Sequence, residues 1–141
     1  MANSNKPKEK PTIVHGLDAL PVYKDIKDVR CYYTVNVYPN IPNDLKHSVG
    51  RMILDLLFTS VEKLAKLIRT YDVQLKIQYL NEFLTDYEIL LDRIEFLTDV
   101  KAIDYHKTAV LFAALSQITE QMGSFRKALK NSSSQDPQAT V

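Results

Sequence analysis

Glycine is scarce in this 141-residue chain: Gly16, Gly50 and Gly123 are the only three, and no Asn-Gly or Asp-Gly pair occurs. Two-residue hairpins lean on such pairs, because their central positions need positive φ, so an all-β fold is disfavoured. Cysteine is scarcer still. Cys31 stands alone, which rules out an internal disulfide and a thiol-rich metal cluster and points to a reducing, intracellular home. No stretch approaches the roughly 20 apolar residues of a membrane span, and the opening MANSNKPKEKP lacks the apolar core of a signal peptide. The expected location is the cytoplasm.

What remains is an ordinary globular balance, 45% hydrophobic and 25% charged residues, enough for one core and one domain. Residues 1–19, with Lys6, Lys8 and Lys10 among Asn, Ser and Pro, read as a flexible basic tail. Residues 131–141, NSSSQDPQATV, read as a disordered one. Nearly all large apolar side chains fall in 20–130.

That central region carries helical periods. Val22, Ile26, Val29, Tyr33 and Val37 recur at spacings of three and four, which predicts a first helix from about Leu20 to Tyr38. Its last third, CYYTVNVY, is rich in β-branched and aromatic residues and could also suit a strand; the longer helical period decides for helix, closed by Pro39 and Pro42. A second helix is expected from Asn43 or Asp44, either of which can cap it, to about Thr70. Its segment MILDLLF is apolar around most of the circumference and needs more than one neighbour.

Two heptad-like seams follow. One runs through Leu80, Leu84, Tyr87, Leu91 and Ile94, within a helix from about Val73 to Asp99; the other runs through Leu111, Leu115, Ile118, Met122, Phe125 and Leu129, within a helix from about Ile103 to Lys130. With connections as short as TYD and VKAID, these elements predict an all-α fold, an antiparallel up-and-down four-helix bundle.

Catalytic signatures are missing. A di-metal carboxylate site in a bundle needs acid-x-x-His spacing on two helices, and only Asp44 to His47 has it; the residue three before His106 is Ile103. His15, His47 and His106 form no pair at helical spacing. No phosphate-binding glycine loop or nucleophile elbow appears. The expectation is a protein with no catalytic residues, metal or cofactor.

Charge is informative through its segregation. The net charge is only +1, but from Asp72 to Asp99 two cations stand against seven carboxylates, while from Val100 to Lys130 five cations stand against two. Glu88, Asp92, Glu95 and Asp99 follow spacings of four, three and four, so they share one helix face, suited to a basic partner. Cations gather at Lys46, His47 and Arg51, at Lys63, Lys66 and Arg69, and at Arg126, Lys127 and Lys130. The first and third groups are expected to merge at one end of the bundle into a surface that attracts phosphate. Tyr23, Tyr32, Tyr33 and Tyr38 are candidates for base stacking, although packing with a wet hydroxyl is the commoner use of such residues.

A helix, a Pro-containing break in YPNIPND, and then LKHSVGRMILDLLFTSVEKLAKLI together resemble the accessory variability determinant proteins of diversity-generating retroelements. Ile41-Pro42-Asn43 stands at the family's Phe-Pro-Lys break, Lys46 near its Arg, Val49-Gly50 at its Leu-Gly step, and Met122-Gly123-Ser124-Phe125 near the end of its closing helix. Asn43 and Phe125 take the places of the usual Lys and Trp. The related proteins encoded in intervening sequences of ribosomal RNA share the bundle, but their Ser-Ile-Pro-x-Asn-Ile-Ala-Glu-Gly-like signature is absent between Arg51 and Thr70. The resemblance implies a protomer of a homo-pentameric barrel that binds a reverse transcriptase and structured template RNA and performs no chemistry itself. The alternatives are an intervening-sequence-type protein, or an interaction module using the acidic face of the third helix.

Overall fold

The computed structural model describes residues 19–134. The predicted tails therefore lie largely outside the described residues, as do His15, Lys6, Lys8 and Lys10. Within them the chain is all-helical, with four long helical segments and no strand.

The first segment, α1, is an α-helix over Leu20–Tyr32 with Pro21 in its opening turn, where a missing N–H costs nothing. It continues as a π turn, Tyr33–Val37, and a 3-10 turn, Tyr38–Asn40. The strand-like stretch is thus helical, but loosened. Thr34 bonds back to the Arg30 carbonyl at 2.6 Å, and Pro39 has no N–H to continue the ladder. Ile41 then turns extended ahead of Pro42. Val22, Ile26, Val29, Tyr33 and Val37 are all buried, as their spacing required.

The second segment, α2, comprises a short turn Asn43–Leu45, a π turn Lys46–Gly50 and the α-helix Arg51–Ile68. Neither Asn43 nor Asp44 caps it, contrary to expectation. Pro42 is the N-cap, and its carbonyl already accepts from Leu45 N at 2.9 Å and Lys46 N at 2.7 Å. The chain is helical by Asn43, one residue too early for either side chain to cap.

The two π turns are tied together. The buried Tyr33 hydroxyl donates to the Gly50 carbonyl at 2.8 Å, a bond that joins the end of α1 to the first turns of α2. Gly50 permits this approach, since a Cβ there would lie 3.2 Å from Ile41 Cδ1 and 3.3 Å from the Leu45 carbonyl oxygen.

Segment α3 spans Val73–Asp99, capped by Asp72, which accepts from Leu75 N. It ends in a Schellman-type turn: Ala102 N bonds Leu97 O and Lys101 N bonds Thr98 O, with Lys101 at φ 62°. Segment α4 spans Tyr105–Ser134, opened by Asp104, which accepts from Lys107 N at 2.8 Å. It outruns the predicted end at Lys130. The Ser-rich stretch has little to bury, but Gln74 donates to Ser133 at 2.7 Å and holds the last turn against the start of α3.

Cross-helix contacts fix the directions. Lys63 meets Asp86, Lys76 reaches the Leu67 carbonyl, and Arg93 meets Met52, so α2 and α3 run antiparallel in one constant register. Tyr87 bonds the Leu115 carbonyl while Gln74 bonds Ser133, so α3 and α4 are antiparallel too. α1 packs on α2 and α4, and α3 packs on the same two. One continuous core fills the middle, built from Ile26, Tyr33, Ile53, Leu57, Leu64, Phe83, Leu90, Ile94, Leu111 and Ile118 among others. Each such side chain contributes about 1.5–3 kcal/mol by leaving water.

Candidate nucleic-acid interface and the opposed acidic face

The direction of the helices decides which charges meet. α2 and α4 are two chain reversals apart, so they run the same way, and the start of one cannot lie beside the end of the other. The surface expected from Lys46, His47 and Arg51 joining Arg126, Lys127 and Lys130 is therefore not formed. A 27-residue helix such as α3, at about 1.5 Å per residue, keeps the two groups roughly 40 Å apart.

Lys46, His47 and Arg51 sit where α2 starts, beside the end of α3. They are partly engaged there. Lys46 lies over the Tyr38 ring, 5.3 Å from its centroid, and points its ammonium at the Pro39 carbonyl. Arg51 pairs with Asp55 at 3.3 Å, and the hydrogen bond it donates to that carboxylate raises its pKa. His47 is exposed.

Arg126, Lys127 and Lys130 are exposed at the far end, where they surround a shallow depression floored by Gly123 and Asn131. A Cβ on Gly123 would meet nothing within 4 Å, so that glycine keeps an open surface. The cations that share this end are those at the close of α2. Lys66 lies over the Tyr79 ring at 4.3 Å, and Arg69 is exposed. Lys63 is held at 2.7 Å by Asp86 on a half-buried site and is spoken for. In the connection between α2 and α3, two residues after Arg69 and next to Asp72, stands Tyr71, 91% exposed, an aromatic ring presented to solvent.

Tyr71 is not among the tyrosines whose place in the sequence suggested base stacking. The available signal was its place in the three-residue connection TYD, where a side chain has no helix face on which to pack. The tyrosines singled out instead do other work. Tyr33 is fully buried, and burial raises its hydroxyl pKa well above the usual value. Tyr23 and Tyr38 are half-buried beneath Lys27 and Lys46, and Tyr32 packs on the core's edge.

Glu88, Asp92, Glu95 and Asp99 are all exposed along α3, on one face as their spacing demanded. Asp92 is joined to its neighbour Arg93. Asp92, Glu95 and Asp99 border a depression that also includes Val49, Arg93 and Phe96. This acidic stripe lies at the same end as Lys46 and Arg51, so the molecule has one end of mixed, acid-rich character and one end that is rich in cations.

Among the described residues no three His, Cys, Asp or Glu side chains converge as metal ligands would. No described helix is long and apolar enough to cross a membrane. No family model matches the chain, and neither a curated protein nor a solved structure matches it.

Proposed function

We propose that this chain is a non-enzymatic accessory subunit of a diversity-generating retroelement. In this reading it is a cytoplasmic up-and-down four-helix bundle that assembles as a homo-pentameric barrel and holds structured template RNA beside a reverse transcriptase during mutagenic copying. The observation that supports RNA binding most is the cationic end of the molecule. There Lys66, Arg69, Arg126, Lys127 and Lys130 accompany the outstanding Tyr71. Cations supply affinity through counterion release, and a solvent-facing ring offers a platform on which an unpaired base can stack. The antiparallel registers of α2 with α3 and of α3 with α4 support the bundle. Val35 and Phe58, each exposed by more than two fifths, support burial against further subunits. The retroelement itself is supported by the YPNIPND break and the glycine step at Gly50, which has a physical use at the α1–α2 crossing.

Five phosphate-contacting cations would give log affinity against log salt a slope of about −4.5, a loss of several hundred-fold between about 50 and 200 mM salt. Fluorescence anisotropy with a labelled RNA hairpin reads this directly; affinity indifferent to salt, or no affinity at the lower concentration, overturns the reading. Light scattering on the same preparation should give a mass near five times the 16.2 kDa protomer.

A further inference from the structure

The outer groove between α2 and α3 is lined in register. On α2, Val49, Met52 and Leu56 recur at spacings of three and four; on α3, Ile89, Arg93, Phe96 and Val100 do the same. Arg93 Nε meets Met52 Sδ at 3.1 Å, which sets the alignment. Val49 and Phe96 line one depression together. Four of these side chains are well exposed for their type: Met52 43%, Phe96 42%, Val100 47% and Ile89 37%. Leu56 and Val49 are half-buried against the core. From Ile89 to Val100 the groove extends about 16 Å, or three helical turns.

Its rim has a sign. Glu88, Asp92, Glu95 and Asp99 each stand one residue before a lining position, so a line of carboxylates follows the apolar line along α3. Of the cations close by, Arg93 has Asp92 and Arg51 has Asp55 as a local acid, Lys46 is turned to the Tyr38 ring and the Pro39 carbonyl, and Lys101 follows Val100. Glu88, Glu95 and Asp99 have no ion-pair partner among the described residues.

We infer that this groove docks a basic amphipathic helix of another protein. Three turns of such a helix place apolar side chains at i, i+3 or i+4, and i+7 over Met52, Phe96 and Ile89, while Lys or Arg on its flank reaches the carboxylates. The rim repels phosphate, so RNA is not the occupant. Because the groove lies at the opposite end from Arg126, Lys127 and Lys130, it stands or falls separately from RNA binding.

The test uses the full chain and three labelled synthetic peptides of one length, measured by anisotropy. The first is a helical peptide with leucine at the anchor positions and lysine elsewhere. The second has the same composition scrambled, and the third has glutamate for lysine. The account expects saturable binding of the first, at least tenfold tighter than of either control. It also expects at least tenfold loss in Phe96→Ala, and in the triple variant Glu88→Gln, Glu95→Gln, Asp99→Asn. All four positions are exposed, so an unchanged thermal melt by circular dichroism is expected for both variants. Equal binding of the scrambled peptide, or full binding by either variant, overturns the inference. So does a chain that ignores the peptides but dissociates from a larger assembly to a monomer on Phe96→Ala, because the groove then belongs to a second copy.

Discussion

The two ends of the molecule are made from the same helices and present opposite chemistry. At one, α2 and α4 finish and α3 begins, with Arg69, Tyr71, Arg126, Lys127 and Lys130 exposed. At the other, α2 begins and α3 finishes, with two π turns clasped by Tyr33 and Gly50 and a carboxylate line beside exposed apolar side chains. The first end is locally regular, and its exposed cations outnumber the carboxylates near them, Asp72 among these. The second is locally irregular, and its cations are largely matched by acids. Net charge, +1 over the whole chain, does not report this division between surfaces that would attract different partners.

Tyr33→Phe removes the donor to the buried Gly50 carbonyl and nothing else of size, so chemical denaturation should show a loss of about 1–3 kcal/mol. A variant as stable as the parent would mean that the clasp is incidental. At the cationic end, Tyr71→Ala should leave stability unchanged and lower RNA affinity about tenfold, within the range of base–aromatic stacking; anisotropy measures it. Gly50→Ala should cost about 1 kcal/mol, because the new methyl presses on Ile41 and on a backbone carbonyl. Lys101→Gly acts oppositely and should stabilise by about 1 kcal/mol, as lysine holds φ 62° where glycine sits without strain.

A titration separates core from ends. Burial pushes the Tyr87 hydroxyl from 10.0 up to about 12, against a smaller opposing effect of its Thr119 hydrogen bond. The folded state therefore keeps a proton that the unfolded state loses first. The contribution is complete below pH 10 and is lost as pH rises towards 12. Denaturation midpoints should fall more steeply over that window in the parent than in Tyr87→Phe.

How much of this was legible follows from the range of each interaction. The bounds of α3 were readable because Asp72 and the Leu80-to-Ile94 seam are local signals within one helix. The acidic line was readable for the same reason. The π turns were not, since they rest on which carbonyl each N–H finds, and the burial of Tyr33 and Val37 at a spacing of four also fits an α-helix. The expected joining of Lys46 and Arg51 with Arg126 and Lys130 failed because it depended on helix direction. Counting chain reversals would have paired the end of α4 with the end of α2.

The measurement that tests the account most directly compares two charge reversals in one RNA-binding titration. One variant carries Arg126→Glu, Lys127→Glu and Lys130→Glu, and the other Lys46→Glu and Arg51→Glu. The account predicts that the first loses at least tenfold in affinity and flattens the salt slope by about one unit per phosphate contact removed. The second should bind nearly as the parent does. Equal losses in both, or a loss confined to Lys46 and Arg51, would contradict it.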